Sequence, residues 1–477
     1  QEVNLYGGFG SRHFQSQGVL NLEETERIAL MGKDPAKAIR VMSVPLIFAF
    51  LLSSIQVYID SFWCAGLGPD ANSAITLAGP LYFIMIDVGT GLGVGASTAI
   101  SRALGAKQHE RANSLASQSI VLIALVSVCL SLFILLISRT MISFMSGGEN
   151  VDLSMDYLIP SLVFSPFLML NGVILGMLRS EGEAKKSSGL SIAASLINIV
   201  LDPVLIYVLD LGVFGAALAT AISFVITTLV GLYWYASGRM FIKPVFKGFR
   251  FIKEQIWDIC KVGIPHSLEL ALIPIMMIPE NALVVIVGGT DGMITYSLPF
   301  RYITLAMVPV QAIAASMIPV VSYSIGMKND ENVMIGMRYA FKMAIILSLV
   351  LTAVLIVFAE PFSYAFTYSD DMVQFRSEIA MVIRIYALAL ASICLTHVCS
   401  SVLQTLCFSQ LATVTMFIRE IFFILFYYVS TFFDMTAIYW SLDAAEYLGL
   451  IMMAVCVIYA MRIKYPGRSL FSRKQSG

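Results

Sequence analysis

The sequence predicts an all-α integral membrane protein: twelve transmembrane helices in two pseudo-symmetric six-helix bundles. Three observations carry this. The 477-residue chain is 58% hydrophobic and 13% charged, where soluble domains are about one quarter charged. Its mean hydropathy is +0.83. Its apolar runs are continuous and membrane-length, not alternating, which excludes a β-barrel. Net charge −1 gives no footing for a nucleic-acid partner.

Taken in order, the spans are expected at about 38–64, 73–101, 113–138, 153–178, 187–209, 213–236, 256–287, 292–324, 334–359, 375–403, 408–432 and 436–461. Each offers the roughly 20 apolar residues a crossing requires. Several exceed that length, which predicts tilt or kinks. Pro45, Pro80, Pro160, Pro203, Pro265 and Pro319 lie in or near spans; each frees a backbone carbonyl one turn earlier.

Basic residues set the expected orientation. Arg12, Arg27, Lys33, Lys37 and Arg40, then Arg102, Lys107 and Arg111, then Arg179, Lys185 and Lys186 fall on one side. Arg239, Lys243, Lys247, Arg250 and Lys253 follow, then Lys328 and Arg338, then Arg462, Lys464, Arg468, Arg473 and Lys474. The other side keeps only Arg139 and Arg376. Both termini are therefore expected in the cytoplasm of a multi-pass cell-membrane protein. The expected layout is an N-terminal segment 1–37, a first lobe 38–237, a linker 238–254, a second lobe 255–462 and a tail 463–477. The linker (GRMFIKPVFKGFRFIKE) alternates apolar and basic residues, as an amphipathic segment on the inner leaflet would. The chain begins at Gln1, as expected of a trimmed product, and residues 1–35 lack the apolar core of a signal peptide.

The two lobes read as weak repeats. Val44-Pro45 aligns with Ile264-Pro265, Gly68 with Gly288 and Asp60 with Glu280. The ends of spans two and eight, ISRALGAKQHE and SYSIGMKNDEN, align one residue further on. Both lobes have an even number of spans, so the repeats are expected to be parallel. Nothing in span eleven replaces Asn198 and Asp202, so a cation site should be one-sided.

Asp202 stands inside SIAASLINIVLDPVLIYVL, four residues after Asn198 and on the same helical face. A charge at the bilayer centre costs roughly 2.5–3.5 kcal/mol on insertion scales, so such residues are kept for function. Asp60 ends the apolar run PLIFAFLLSSIQVYID, and Thr220 enters span six at a matching depth. Asp60, Asn198, Asp202 and Thr220 thus supply oxygens for a hard cation such as Na+, or carboxylates for a proton. The bland alternative is a structural hydrogen bond for Asp202 and an interfacial place for Asp60.

In the second lobe, Glu269, Glu280, Arg301 and Arg384 are candidate cavity or gate charges. Depth places Glu280, Arg301 and Arg384 in the outer half, where they are expected to pair as a lock. Arg419 and Glu420 are adjacent, so they are expected to find separate partners. Asp443 and Glu446 fall in span twelve as candidate cavity residues. Gly89, Gly91, Gly93 and Gly95 lie in an apolar helix and read as close packing, not as a phosphate loop. The 25 methionines suit core packing or an adaptable cavity. The seven cysteines form no CxxC pair, and His13, His109, His266 and His397 are scattered, so no disulfide framework, zinc site or haem is expected. No catalytic triad, HExxH or Walker motif is present, and no enzyme is expected.

Over residues 33–462 the chain resembles the MATE family of multidrug and toxic compound extrusion transporters. The matching pieces are MGKDPAKAIRVMSVPLI, YIDSFWCAGLG, GVGASTAISRALGAK, LRSEGEAKKSS, NIVLDPVLIYVLDLGVFGAALATAIS and KVGIPHSLE, in that order. The resemblance implies two bundles around a central cavity and exchange of Na+ or H+ for a drug. Its DinF-like prokaryotic branch has a first-lobe cation site, which Asp60, Asn198, Asp202 and Thr220 match. A bending proline on helix one is matched by Pro45. The NorM-like acid on helix seven would fall at Ile273, so the resemblance favours the first lobe.

The expected activity is therefore efflux of organic, often cationic, compounds by alternating access. It needs no cofactor beyond the coupling ion, Na+ or H+. Its partners are small organic substrates and the bilayer, and a monomer is expected. The alternatives are a lipid-linked oligosaccharide or lipid flippase of the same superfamily, an intramembrane enzyme, which would need a nucleophile or metal ligands, and a channel.

Overall fold

A computed structural model describes residues 26–367, 370–468 and 470. Arg12, His13, Arg473 and Lys474, with most of the N-terminal segment and the end of the tail, lie outside these. The long helices are α1 (Pro35–Ala65), α2 (Pro69–Gly105), α3 (His109–Ser146), α4 (Val151–Val163), α5 (Ser165–Ser180), α6 (Ala184–Pro203) and α7 (Gly212–Ala236). Then come α8 (Lys253–Gly326), α9 (Asp330–Val357), the short α10 (Ala359–Phe366), α11 (Arg376–Thr405), α12 (Ser409–Ser430) and α13 (Met435–Lys464). Ten helices among the described residues are long and apolar enough to cross a membrane, and the bent pair α4–α5 makes an eleventh. Counting the two arms of α8 separately gives the twelve spans.

Local chemistry explains the breaks. The fourth span bends by 54° between α4 and α5. Pro166 has no N–H for the carbonyl of Leu162, and the helix restarts at Ser165. The 74-residue α8 is interrupted at Gly289, whose φ of 59° and ψ of −151° suit only glycine. Its arms, 253–288 and 290–326, are the seventh and eighth spans. The starts carry caps: Asp34 accepts from the N–H of Lys37 at 3.0 Å, Asn329 from Asn332 at 3.1 Å and Asp434 from Ala437 at 3.0 Å.

The repeat is visible in the turns. Spans two and eight both end on a left-handed lysine, Lys107 at φ 58° and Lys328 at φ 57°, and span ten on Cys407 at φ 60°. Each half packs its own core, one around Met85, Ile100, Leu115 and Met169, the other around Met317, Tyr386, Tyr427 and Tyr439.

The halves meet at the end that carries the basic loops. There α2 packs against α8 so closely that a methyl on Gly91 would lie 2.6 Å from the backbone nitrogen of Ser267. Gly95 faces Ile259 and Gly263 in the same way, and Gly105 and Gly326 meet the backbones of Tyr323 and Arg102. The glycine run expected to serve close packing does so here. Arg111 crosses to Glu254 (3.1 Å) and Asp258 (2.7 Å).

Between α7 and α8, residues 238–252 form neither helix nor strand. Met240 and Ile242 turn inward at 1% exposure, while Val245, Phe246 and Phe251 are exposed. The backbone is pinned to its own half: Val245 N–H donates to Ser117 Oγ (2.7 Å), Lys243 N–H to Asn113 Oδ1 (2.8 Å), and Gln118 Nε2 to the Arg250 carbonyl (2.7 Å). The segment is an irregular strap on which basic Lys243, Lys247 and Arg250 and apolar Val245, Phe246 and Phe251 are all exposed, with no separate apolar face.

Candidate cation site

The first half brings Asp60, Asn198, Asp202 and Thr220 into one network. α1 packs along α6, which places Asp60 opposite Asp202. Asn198 Nδ2 donates to Asp202 Oδ1 at 3.1 Å and to Thr220 Oγ1 of α7 at 3.2 Å. Thr220 in turn donates to the Ala216 carbonyl at 3.3 Å. Asn198 and Asp202 are 1% and 2% exposed, and Asp60 and Thr220 are half-buried.

Gln56 completes the network, and the sequence reading missed it. Its Nε2 donates to Asp60 Oδ2 at 3.3 Å and also to Asn198 Oδ1. The signal was available: Gln56 precedes Asp60 by four residues, the spacing of Asn198 and Asp202.

The carboxyl groups of Asp60 and Asp202 are neighbours in this network, linked through the amides of Gln56 and Asn198. Asp60 Oδ1 and Asp202 Oδ2 are both buried without a donor. Two facing carboxylates with bare oxygens repel in a low-dielectric interior. A proton shared between them, or a cation between their oxygens, relieves this. The donor set is all oxygen, as Na+ prefers. The local helix is also irregular. Pro203 has no N–H for the carbonyl of Ile199, and Val204–Val208 follows as a π-helical turn, a distortion frequent at functional sites. Pro45 stands inside an otherwise unbroken α1, four turns before Asp60.

The second half is arranged differently. The expected lock of Glu280, Arg301 and Arg384 does not form as one cluster. Arg384 pairs with exposed Glu360 at 3.2 Å, and Arg301 lies 5.6 Å from the ring centre of Tyr58. Glu280 is buried in the field of Arg419, Glu420 and Glu446. Depth along a helix fixes a residue's level but not the direction it faces. The separate partners expected for Arg419 and Glu420 are corrected too. Arg419 donates to Glu420 through Nη2 and to Glu446 through Nη1, at 3.0 and 3.2 Å. A long guanidinium can fold back to its neighbour. Asp443 is 4% exposed with neither oxygen partnered. Glu269 belongs to another network, accepting from Ser400 Oγ at 2.6 Å and lying 3.2 Å from His266 Nδ1.

Comparison with known proteins agrees with this architecture. The MatE family model matches residues 45–204 and 265–429, one segment in each half. The chain is 26% identical over 456 residues to the multidrug export protein MepA of Staphylococcus aureus (strain NCTC 8325 / PS 47), covering 92% of this chain and 96% of that protein. Among solved structures it is similar to a MOP superfamily transporter from Pyrococcus furiosus Vc1 (DSM3638), with TM-score 0.86, 28% identity, and 93% and 99% of the two chains covered. It is also similar to an outward-facing multidrug resistance MATE family transporter of the MOP superfamily, with TM-score 0.84, 27% identity, and 91% and 98% covered. With the family match spanning both halves, the chain belongs to the MatE family of multi-pass membrane transporters.

Proposed function

We propose that this protein exports organic, often cationic, compounds by antiport against Na+ or H+, with Asp60 and Asp202 as the coupling pair. The observation that carries the reading is the facing of these two carboxyls, each with a buried oxygen that has no donor. The relatives described as multidrug exporters support the substrate class. The excess of basic residues at one end supports a cell-membrane protein with that end and both termini in the cytoplasm.

The chain's own residues supply the mechanism. Gln56, Asn198 and Thr220 hold the two carboxyls in register. A cation entering from the side opposite the basic loops neutralises them and removes their repulsion. α1 then repacks, with Pro45 as the weak point where the Val41 carbonyl lacks its N–H partner. A ligand shifts such an equilibrium only by its differential affinity for the two states. Competition of coupling ion and organic cation for the same carboxylates provides that difference.

The test is dye efflux from proteoliposomes under separately imposed Na+ and pH gradients, for the wild type and Asp202→Asn. One gradient should drive efflux, and Asp202→Asn should reduce it to background while thermal unfolding stays close to wild type, because Asn still accepts from Asn198. Full efflux by Asp202→Asn would overturn the site. Transport of an anionic glycolipid in place of dye would favour the flippase.

A further inference from the structure

A polar cavity lies at the basic end, between the halves and away from the carboxyl pair. Its volume is about 330 Å³. Thr98, Arg102 and Arg111 line it from the first half, and Asp258, Lys261 and Cys407 from the second. Its wall therefore carries three cations against one carboxylate. Asp258 takes up Arg111 (2.7 Å) and Lys261 (2.5 Å). Arg111 also reaches Glu254, whose side chain is 76% exposed. Arg102 donates only to the Thr405 carbonyl and to Cys407 Sγ, at 2.8 Å for the latter, and has no carboxylate partner among the described residues.

Two donors on this wall have nothing to donate to. Thr98 is 1% exposed and its Oγ1 has no partner. The Nε of Arg102 is buried and also without a partner. Leaving a buried hydroxyl or guanidinium N–H unpaired forfeits its hydration without replacement, so their placement on a cavity wall asks for an acceptor. The first turn of the 38-residue α3 adds to this. Its N-cap, Gln108, lines the same cavity and makes no side-chain cap, so the first-turn N–H groups lack intrahelical acceptors. Glu110 in that turn is exposed.

We infer that this cavity binds one phosphate-type oxyanion, which bridges the two halves and holds their basic ends together. A tetrahedral oxyanion offers several acceptors at once, enough for the Thr98 hydroxyl, the Arg102 Nε–H and the Lys261 ammonium. Charge-assisted bonds of this kind are the strong ones. The anion can be a phospholipid headgroup, since basic pockets between spans on the cytoplasmic side suit them, or free phosphate. The site opens when the basic ends part, because its walls come from both halves. A bound anion therefore stabilises the arrangement seen here by mass action.

The experiment uses the full-length protein and two probes. Thermal unfolding in neutral detergent is followed against inorganic phosphate at constant ionic strength. It is then followed in nanodiscs of phosphatidylcholine with and without phosphatidylglycerol. The variants are Thr98→Val, Lys261→Gln and Arg102→Gln. Arg102 also ties the halves together, so the first two keep the test sound if Arg102→Gln does not fold. A saturable rise in Tm is expected, with the half-saturating phosphate concentration roughly tenfold higher in Thr98→Val and Lys261→Gln. A shift with phosphate and none with phosphatidylglycerol assigns free phosphate, and the reverse assigns a lipid headgroup. No shift with either probe overturns the inference. So does a shift of equal size and midpoint in wild type and variants, which would mean an adventitious ion only.

Discussion

Gln56 donates from one nitrogen to Asp60 on its own helix and to Asn198 across the interface. That amide links α1, which carries one carboxyl, to α6, which carries the other, one turn from the Ser53–Ser195 hydroxyl contact at 3.3 Å. It also supplies the donor for the carbonyl oxygen of Asn198, whose own NH2 is committed to Asp202 and Thr220.

Replacing Gln56 with leucine should therefore weaken both stability and coupling. The Asn198 oxygen, in a residue 1% exposed, would be left without a donor, at a cost of about 1–3 kcal/mol. Thermal unfolding should register the loss, and the coupling-ion concentration for half-maximal efflux should rise severalfold. Unchanged values for both would remove Gln56 from the network's function.

The glycine seam makes a sharper prediction. A methyl on Gly95 would lie 2.9 Å from the backbone nitrogen of Gly263 in the other half, with the Ile259 carbonyl closer still. Backbone on both sides cannot yield cheaply, so Gly95→Ala should cost about 1–3 kcal/mol and slow transport by forcing the basic ends apart. Gly189→Ala is the control. It lies in α6 with nothing within 4 Å of the added methyl, and should be neutral or stabilising by about 0.5–1 kcal/mol. Equal effects of the two substitutions would mean that the seam is not closely packed.

Glu181, in the turn after α5, gives a pH dependence. Burial is the main cause that pushes its carboxyl up to about 8, aided by the nearby Glu183 charge. The N–H groups of Phe241 (2.9 Å) and Ile242 (3.3 Å) oppose this by donating to Oε2. The folded state thus holds a proton that the unfolded chain, titrating near 4.3, releases. The stabilisation is complete below that value and is lost as pH rises to about 8. Glu181→Gln keeps an acceptor for both N–H groups and has no charge to bury. The stability difference between variant and wild type, measured by denaturant unfolding, should grow by a few kcal/mol from pH 5 to 8, in favour of the variant. A flat difference would refute the assignment.

Arg419 anchors the second half's acids. Arg419→Met strips Glu420 and Glu446 of their donor, and breaking a buried pair costs about 3–5 kcal/mol. Adding Glu446→Met should recover part of this, because one uncompensated charge then disappears. A double variant no more stable than Arg419→Met would show that the two residues are not energetically coupled.

The sequence by itself determined the membrane fold, its two bundles and the position of each polar group along its own helix. These follow from apolar length, charge asymmetry and a rise fixed at 1.5 Å per residue. The amide–x–x–x–Asp spacing placed Asn198 beside Asp202, and the same spacing stood unread in Gln56 and Asp60. Tertiary structure decided which helix faces meet. Depth alone grouped Glu280 with Arg301 and Arg384, yet packing turned Arg384 to Glu360 and Arg301 onto Tyr58. It also bent the fourth span at Phe164 and folded Arg419 back onto Glu420. Rotation about a helix axis has no signature in an all-apolar run, because lipid and protein interior are equally apolar. Only the fit of side chains across α1, α6 and α7 turns four polar residues from a shared level into one site.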